Sequence, residues 1–521
     1  MRSSLVVRTS LVVALLSMSV APGGGQEQRP ATTPRGRIAE LPARTELAWP
    51  LPTGAYKAYD SIDGRRMKGY VDEMAAISRR YRDAGNQYWG RLVGTSSIDE
   101  TQQWVANKFR QAGLEVQLKE YPLNPQVFPR TWDLTVTGAG KTLKLTSVSP
   151  LISFAQYIPS DEGDLDLDTA WVGLGMASDF LGKDVRGKAV FIYSTATPSS
   201  LIQSAQWLGA AERAQKAGAR AMIVVLAIPG NLKVVSHLQG ARLSTDEGMK
   251  LPIFTLGLDD GESVESLYAA AAGQGVRTRV RWKVERVAGL KAVNVVGVLP
   301  GQTDENIVMI SHTDAFFEGA TDNAAGTAAL IGTAEYFAKI PRAQRRRTMY
   351  FIATPDHHGG DLGGRWIHDN MQSVLARTAV SLNAEHVTAM EPVWDRPWGS
   401  PARPELIPTN QLGSSWWGVN GSARLAEIVR DGFATFGVPT QVAPGGSAGE
   451  LRAIQFDSPS FYLHNKGVYY HADNDVPAVV PATGLRTAVQ AFAKIFDDVN
   501  KVDLKDLQPP PVATTTSASA Q

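Results

Sequence analysis

Apolar and polar positions along this chain follow two periods, and the switches between them outline an α/β protein. From Thr95 to Gly113, Ile98, Val105, Phe109 and Ala112 recur at i, i+7, i+11 and i+14, which is one face of a helix. Thr95 or Ser96 opens this segment and Gly113 closes it, as helix caps do. A helical region is predicted ahead of it, from Tyr70 to Arg82, and a strand after it, from Leu114 to Tyr121. Further along, Asn294–Leu299, Ile307–Ser311 and Thr348–Thr354 are short apolar runs with the length of strands. Between the last two lies a predicted helix, Asn323 to Ala338. Its small residues Ala324, Ala325, Gly326, Ala328 and Ala329 permit close packing on a sheet. Strands alternating with helices imply a largely parallel sheet covered on both faces.

The middle of the chain reads as a unit of its own. Strands are predicted at Ala189–Tyr193, Ala221–Leu226 and Leu251–Leu256, with helices at Ala210–Ala217 and near Ser263–Ala272. Nothing there groups His with Asp or Glu at ligand spacing, so a lid or recognition surface is the expected role. The resulting division is a leader over 1–22, a linker over 23–53, the N-terminal part of a catalytic domain over 54–153 and an insert over 154–288. The main catalytic part then spans 289–503, with a disordered tail over 504–521.

Composition narrows the class. A chain of 521 residues is long for one core. Its formal charge of +1 supplies no large single-sign field, which argues against nucleic acid or an anionic membrane as main partner. The one dense basic run, Arg345-Arg346-Arg347, reads as a solvated loop. Arg2 and Arg8, the short apolar stretch Leu11–Val20 and Ser19-Val20-Ala21 have the form of a removable export signal, too short to span a bilayer. A secreted or periplasmic location is therefore expected. With no cysteine, no disulfide can form, and the cores alone must hold the fold.

Candidate chemistry is concentrated late. Seven of the eight histidines lie from residue 312 onward. The motifs are Ser311-His312-Thr313-Asp314 leading to Gly319-Ala320-Thr321-Asp322-Asn323, then Asp356-His357-His358-Gly359-Gly360, Leu382-Asn383-Ala384-Glu385 and Tyr470-His471-Ala472-Asp473-Asn474-Asp475. Most follow a short apolar run, placing them at the carboxyl ends of parallel strands, where α/β proteins gather ligands. Imidazole and carboxylate are zinc ligands, oriented by outer partners. Asp314 is placed to accept from the ring of His312, and Asp475 from that of His471. Asp322, at the end of a small-residue turn, could bridge two ions. Trp394, Trp398, Trp416 and Trp417 read equally as the rim of a substrate pocket or as loop packing.

In combination, these motifs resemble the co-catalytic dinuclear zinc aminopeptidases, metallopeptidase family twenty-eight. Bacterial leucyl aminopeptidase, glutamate carboxypeptidase II and the transferrin receptor are relatives within it. Gly182–Tyr193 and Ala210–Val225 resemble the protease-associated domain inserted in many of them. The resemblance implies a mixed, largely parallel sheet sandwiched by helices, with an inserted β-rich α/β domain. It implies two divalent ions, most simply zinc. His312 and Glu385 would hold one and His471 the other, with Asp322 bridging and the Asp322-Asn323 bond cis. The family reads Glu-Glu after its central strand, the first as general base and the second as ligand. Here those positions are His357 and His358, with Asp356 as fallback base. Histidine as a ligand is a mild change that removes one negative charge. At the base position, a protonated imidazole would be a cation beside two others, so its pKa should fall.

The implied function is an exported aminopeptidase-type hydrolase acting on peptides through a dinuclear metal-activated water. Other readings keep the metals but hydrolyse or transfer a non-peptide acyl group, as glutaminyl cyclases of this fold do, or leave a binding protein that has lost catalysis.

Overall fold

The computed structural model describes residues 56–151, 159–194, 208–235, 249–395, 403–442, 449–454, 457–465 and 469–509. The expected leader, the linker, Trp398 and the last twelve residues lie outside them.

Eight strands form the sheet that carries the motifs. They are β1 (Glu115–Pro122), β2 (Lys291–Leu299), β3 (Asn306–His312), β4 (Thr348–Thr354), β5 (Thr378–Glu385), β6 (Ser415–Asn420), β7 (Thr440–Val442) and β8 (Ser460–Asn465). Their spatial order is β7-β6-β8-β5-β3-β4-β2-β1. The central four, β8, β5, β3 and β4, run parallel, with Asn306 opposite Thr348 and His312 opposite Thr354. The outer pairings β2–β4, β1–β2 and β6–β8 are antiparallel. All residues of β3 and β5 are buried, as expected of strands covered on both faces.

Alternation along β4 divides its side chains between two cores. Met349, Phe351 and Ala353 join the apolar layer built with α1 (Gly64–Asp83), α2 (Ser96–Gln111), α3 (Gly326–Ala338), α5 (Ala423–Thr435) and α6 (Ala482–Val499). Ile352 faces the opposite core, with Ile310, Leu451 and Ile367 of α4 (Leu362–Asn370). Asp63 caps α1, accepting from the backbone of Arg65 and Arg66. The helix predicted from Asn323 starts later, at Gly326, because 320–325 form a distorted turn. A Cβ on Gly326 would collide with the Ala384 carbonyl, so glycine lets α3 begin against the end of β5.

The second sheet also has eight strands. Its order is Lys141–Leu145, Gln126–Gly138, Arg277–Val287, Glu162–Trp171, Ala189–Ser194, Ala221–Leu226, Ile253–Leu256 and Ser149–Pro150. Residues 126–150, expected with the catalytic part, hydrogen-bond here instead, so this layer starts at Gln126 rather than at 154. Strand Arg277–Val287 alternates cleanly. Val280 and Trp282 face the core, while Arg277, Arg279 and Arg281 pair outward with Asp166, Asp168, Asp164 and Asp133.

Two expectations are corrected. Arg347 is not solvated: it is fully buried, its guanidinium donating to Glu305 (2.9 Å) and to the carbonyls of Val499 (2.6 Å) and Val502 (2.8 Å). It satisfies carbonyls left over at the end of α6. The tail does not begin at 504, because Leu504–Leu507 is a helical turn with Leu507 buried in the main core.

Candidate metal centre

The four central parallel strands end side by side, and each delivers donors to one point. His312 is the last residue of β3, and Glu385 is the last of β5, with His386 directly after it. His357 and His358 form the turn beyond β4. His464 sits next to the end of β8, and His471 follows it in the chain. Asp322 arrives from the turn after β3.

Asp322 is the hub. Its Oδ1 lies 2.8 Å from Nε2 of His386 and 3.4 Å from Nε2 of His312. Its Oδ2 lies 3.2 Å from Nε2 of His471 and 3.5 Å from Nε2 of His358. Despite these short separations, both Asp322 oxygens and the Nε2 atoms of His312, His386 and His464 are buried without a hydrogen bond. Buried polar atoms are rarely left so. Ligand atoms bound ~2.0–2.1 Å from a tetrahedral zinc ion stand about 3.3–3.4 Å apart, close to the 3.2–3.5 Å separations of His312, His358 and His471 from Asp322, with His386 nearer at 2.8 Å. The donors therefore fit two divalent ions sharing one carboxylate.

Glu385 stands slightly aside. Its Oε1 is 3.7 Å from Nε2 of His357, 3.9 Å from those of His312 and His386 and 4.0 Å from that of His464, while Asn383 donates to its Oε2 at 2.9 Å. His386, not singled out from the sequence, comes nearer to Asp322 than Glu385 comes to His312. Consecutive strand residues point to opposite faces, but His386 has φ +48°, and this left-handed turn sends its ring back to the centre. The signal was present as an imidazole directly after the Leu-Asn-Ala-Glu motif. His464 is a lone histidine within a strand, and Glu450 a lone acid; neither carries a local pattern.

A surrounding layer fixes the donors. Asp314 Oδ2 accepts from Nδ1 of His358 at 2.9 Å, and Oδ1 lies 3.3 Å from Nδ1 of His312. The same carboxylate accepts the backbone N–H groups of His357 and His358. Asp475 does not serve His471 as expected. It accepts from the Thr321 backbone and hydroxyl, both at 2.7 Å, and from the Asp322 backbone at 3.0 Å, anchoring the bridging turn. Asn323 ties the strand ends together, donating to the Ser311 hydroxyl and the His312 and Ala384 carbonyls while accepting from His386 N–H. The Asp322-Asn323 bond is cis. Arg91, fully buried, donates to the carbonyls of Thr313, Glu318 and Gly319 and to Ser78 of α1.

Charge follows the same plan. Burial alone would raise the Asp314 and Asp322 carboxyls, but the facing imidazoles hold both well below the usual range. Burial would likewise lower His312 and His358, yet those carboxylates push them up, to about 10 and about 9. This field demands positive charge, which metal ions can supply in place of protons. His357 is held well below its ordinary value by burial and by His312, on which its ring stacks at 4.3 Å. Its Nδ1 is 3.2 Å from Glu450 Oε1, which also accepts from Thr354 at 3.1 Å. Asp356, the fallback base, instead binds Tyr121 (2.8 Å) and the N–H groups of Leu362 and Gly363, and burial raises it to about 7.

Of the tryptophans, Trp417 packs in the core against Phe433, and Trp394 is exposed on the hairpin of Met390–Asp395 with Glu405–Leu412. Trp416 lies 6.4 Å from His464.

Residues 294–395, from within β2 to the end of the strand Met390–Asp395, match the sequence model of peptidase family M28. The chain is 22% identical over 303 residues to aminopeptidase YwaD of Bacillus subtilis (strain 168). That match covers 57% of the chain and 58% of the relative, less than two thirds of its length. Two solved structures share the fold. BSAP, a zinc aminopeptidase from Bacillus subtilis, is 17% identical with a TM-score of 0.59, covering 86% of this chain and 98% of that one. The peptidase M28 precursor of Shewanella amazonensis SB2B is 15% identical with a TM-score of 0.64, covering 87% and 99%. The mixed, largely parallel α/β architecture expected from the sequence is the one these proteins have.

Proposed function

We propose that the protein is an exported metallopeptidase of aminopeptidase type that cleaves peptides at a dinuclear centre, with zinc as its metal. The observation that carries this reading is the pair of imidazoles facing each oxygen of Asp322 at the ends of four parallel strands, with both oxygens buried and without a hydrogen bond. In it, Asp322 bridges, His312 and His386 serve one ion, and His358 and His471 serve the other, with Glu385 flanking the first. The second layer is read as a protease-associated insert around the substrate approach.

When bound, the ions supply Lewis acidity, polarising a carbonyl and acidifying water. The chain's residues do the rest. Asp314 fixes the tautomers of His312 and His358 so that Nε2 carries the lone pair. His357 offers Nε2 toward the centre while Glu450 orients its ring from Nδ1. Held neutral by its surroundings, that imidazole can take a proton at Nε2 and return it to a leaving amine. Burial of the cluster excludes bulk water, which strengthens these interactions.

The test is metal analysis of the purified protein, followed by a screen of aminoacyl anilides and dipeptides with zinc, cobalt and manganese. Two equivalents of metal and metal-dependent release of N-terminal residues are expected. Absence of tight metal binding together with no hydrolysis under any metal would remove the proposal.

A further inference from the structure

We infer that the second sheet is a working part of the metal centre: its connection Lys233–Val235 positions His471. This rests on the reading of His471 as a ligand.

The segment lies between strands Ala221–Leu226 and Ile253–Leu256 of that sheet. Nδ1 of His471 stands 3.0 Å from the Val235 carbonyl, and Val235 N–H donates back to the His471 carbonyl at 3.0 Å. Val234 pairs with Ala472 as an antiparallel bridge. Asp473 N–H donates to the Lys233 carbonyl at 3.0 Å, and Lys233 N–H donates to Asp473 Oδ1 at 3.0 Å. Val234 and Ala472 are both fully buried in one apolar cluster with Met222, Val224 and Ile253. The strap is thus fixed to a packed core.

His471 has φ +57°, a left-handed conformation that a histidine adopts only when its surroundings impose it. The strap supplies that constraint through paired backbone bonds on either side. It also selects the tautomer: a ring donating from Nδ1 to a carbonyl presents the Nε2 lone pair to Asp322 Oδ2. His312 and His358 take the corresponding partner from Asp314, within the first sheet. His471 takes it from the other layer. Consequently, one ion's site is completed by the insert and the other's is not.

Val235→Pro removes the N–H that bonds His471, and the extended Val234 tolerates a following proline. Asp473→Ala removes the acceptor of Lys233 N–H. Full-length metal-free protein is titrated with zinc against a chromophoric chelator, and separately with cobalt(II) while recording the visible spectrum. Circular dichroism and Tm check folding. In Val235→Pro, one site should keep wild-type affinity while the other weakens about 10- to 100-fold, with an altered cobalt spectrum for that site alone. Asp473→Ala should weaken the same site to a smaller extent, and it decides the matter if the proline variant does not fold. Folded variants with both affinities unchanged, or with both sites weakened equally, overturn the inference. Wild-type protein that takes up no metal overturns instead the functional reading beneath it.

Discussion

At the residue scale, the centre depends on a few carboxylates set against many imidazoles. Asp314→Asn keeps the shape but cannot accept equally from His358 and from two backbone N–H groups. Zinc affinity should fall about 10- to 100-fold in chelator competition, and an unchanged affinity would show that Asp314 does not orient a ligand. The pH dependence has a defined sign. In metal-free protein, His312 and His358 are raised to about 10 and about 9, so the folded state binds more protons than the unfolded one from pH ~6.5 upward. Their contribution is full below ~6.5 and is lost as pH rises through 9 to 10. Metal must displace those protons, so its affinity rises over the same window. The Tm gap between zinc-loaded and metal-free protein should therefore widen from pH 6 to pH 9, and a gap that narrows refutes the assignment. Legibility at this scale followed local pattern. His312, Asp322, His358 and His471 announce themselves beside glycine, acid or a second imidazole. His386 was hidden by strand alternation, which a single left-handed residue reverses, and His464 and Glu450 are brought in only by long-range packing.

At the element scale, periodicity located the strands because apolar runs buried on both faces admit few other readings. Strand Thr348–Thr354 was predicted at its observed limits, and Ser96–Gln111 ends at Gly113, whose φ of +87° suits glycine. Gly113→Ala should cost about 1 kcal/mol in a denaturant titration, and a neutral result would contradict the cap. Charge runs were less legible, since Arg345 to Arg347 carry no mark of which guanidinium turns inward. Arg347→Ala leaves Glu305 and two carbonyls without their donor. A loss of about 3 kcal/mol is expected by chemical denaturation, where a solvated loop residue would lose almost nothing.

At the scale of the whole molecule, two mixed sheets meet near one centre, and the chain leaves the first sheet after Pro122 and returns to it at Lys291. The boundary expected at 154 misjudged this. Strand Gln126–Gly138 has no sequence feature assigning it to one sheet, and only its pairing with Arg277–Val287 does so. Removing metal should lower the Tm of the entire protein by several degrees in calorimetry, because ligands from four strands and a later loop lose their common partner. A Tm indifferent to chelator would mean that the donors hold nothing.

The stretch matching the family pattern, 294–395, supplies His312, Asp322, His358 and His386 but neither His471 nor the buried Arg91. Excised as a minimal fragment, it would carry both oxygens of the bridge yet only three of the four imidazoles around them. It would also lack the N-terminal staple that pins the bridging turn to the first helix. Shortening this protein to its recognisable segment therefore discards one of the two imidazoles that face Asp322 Oδ2.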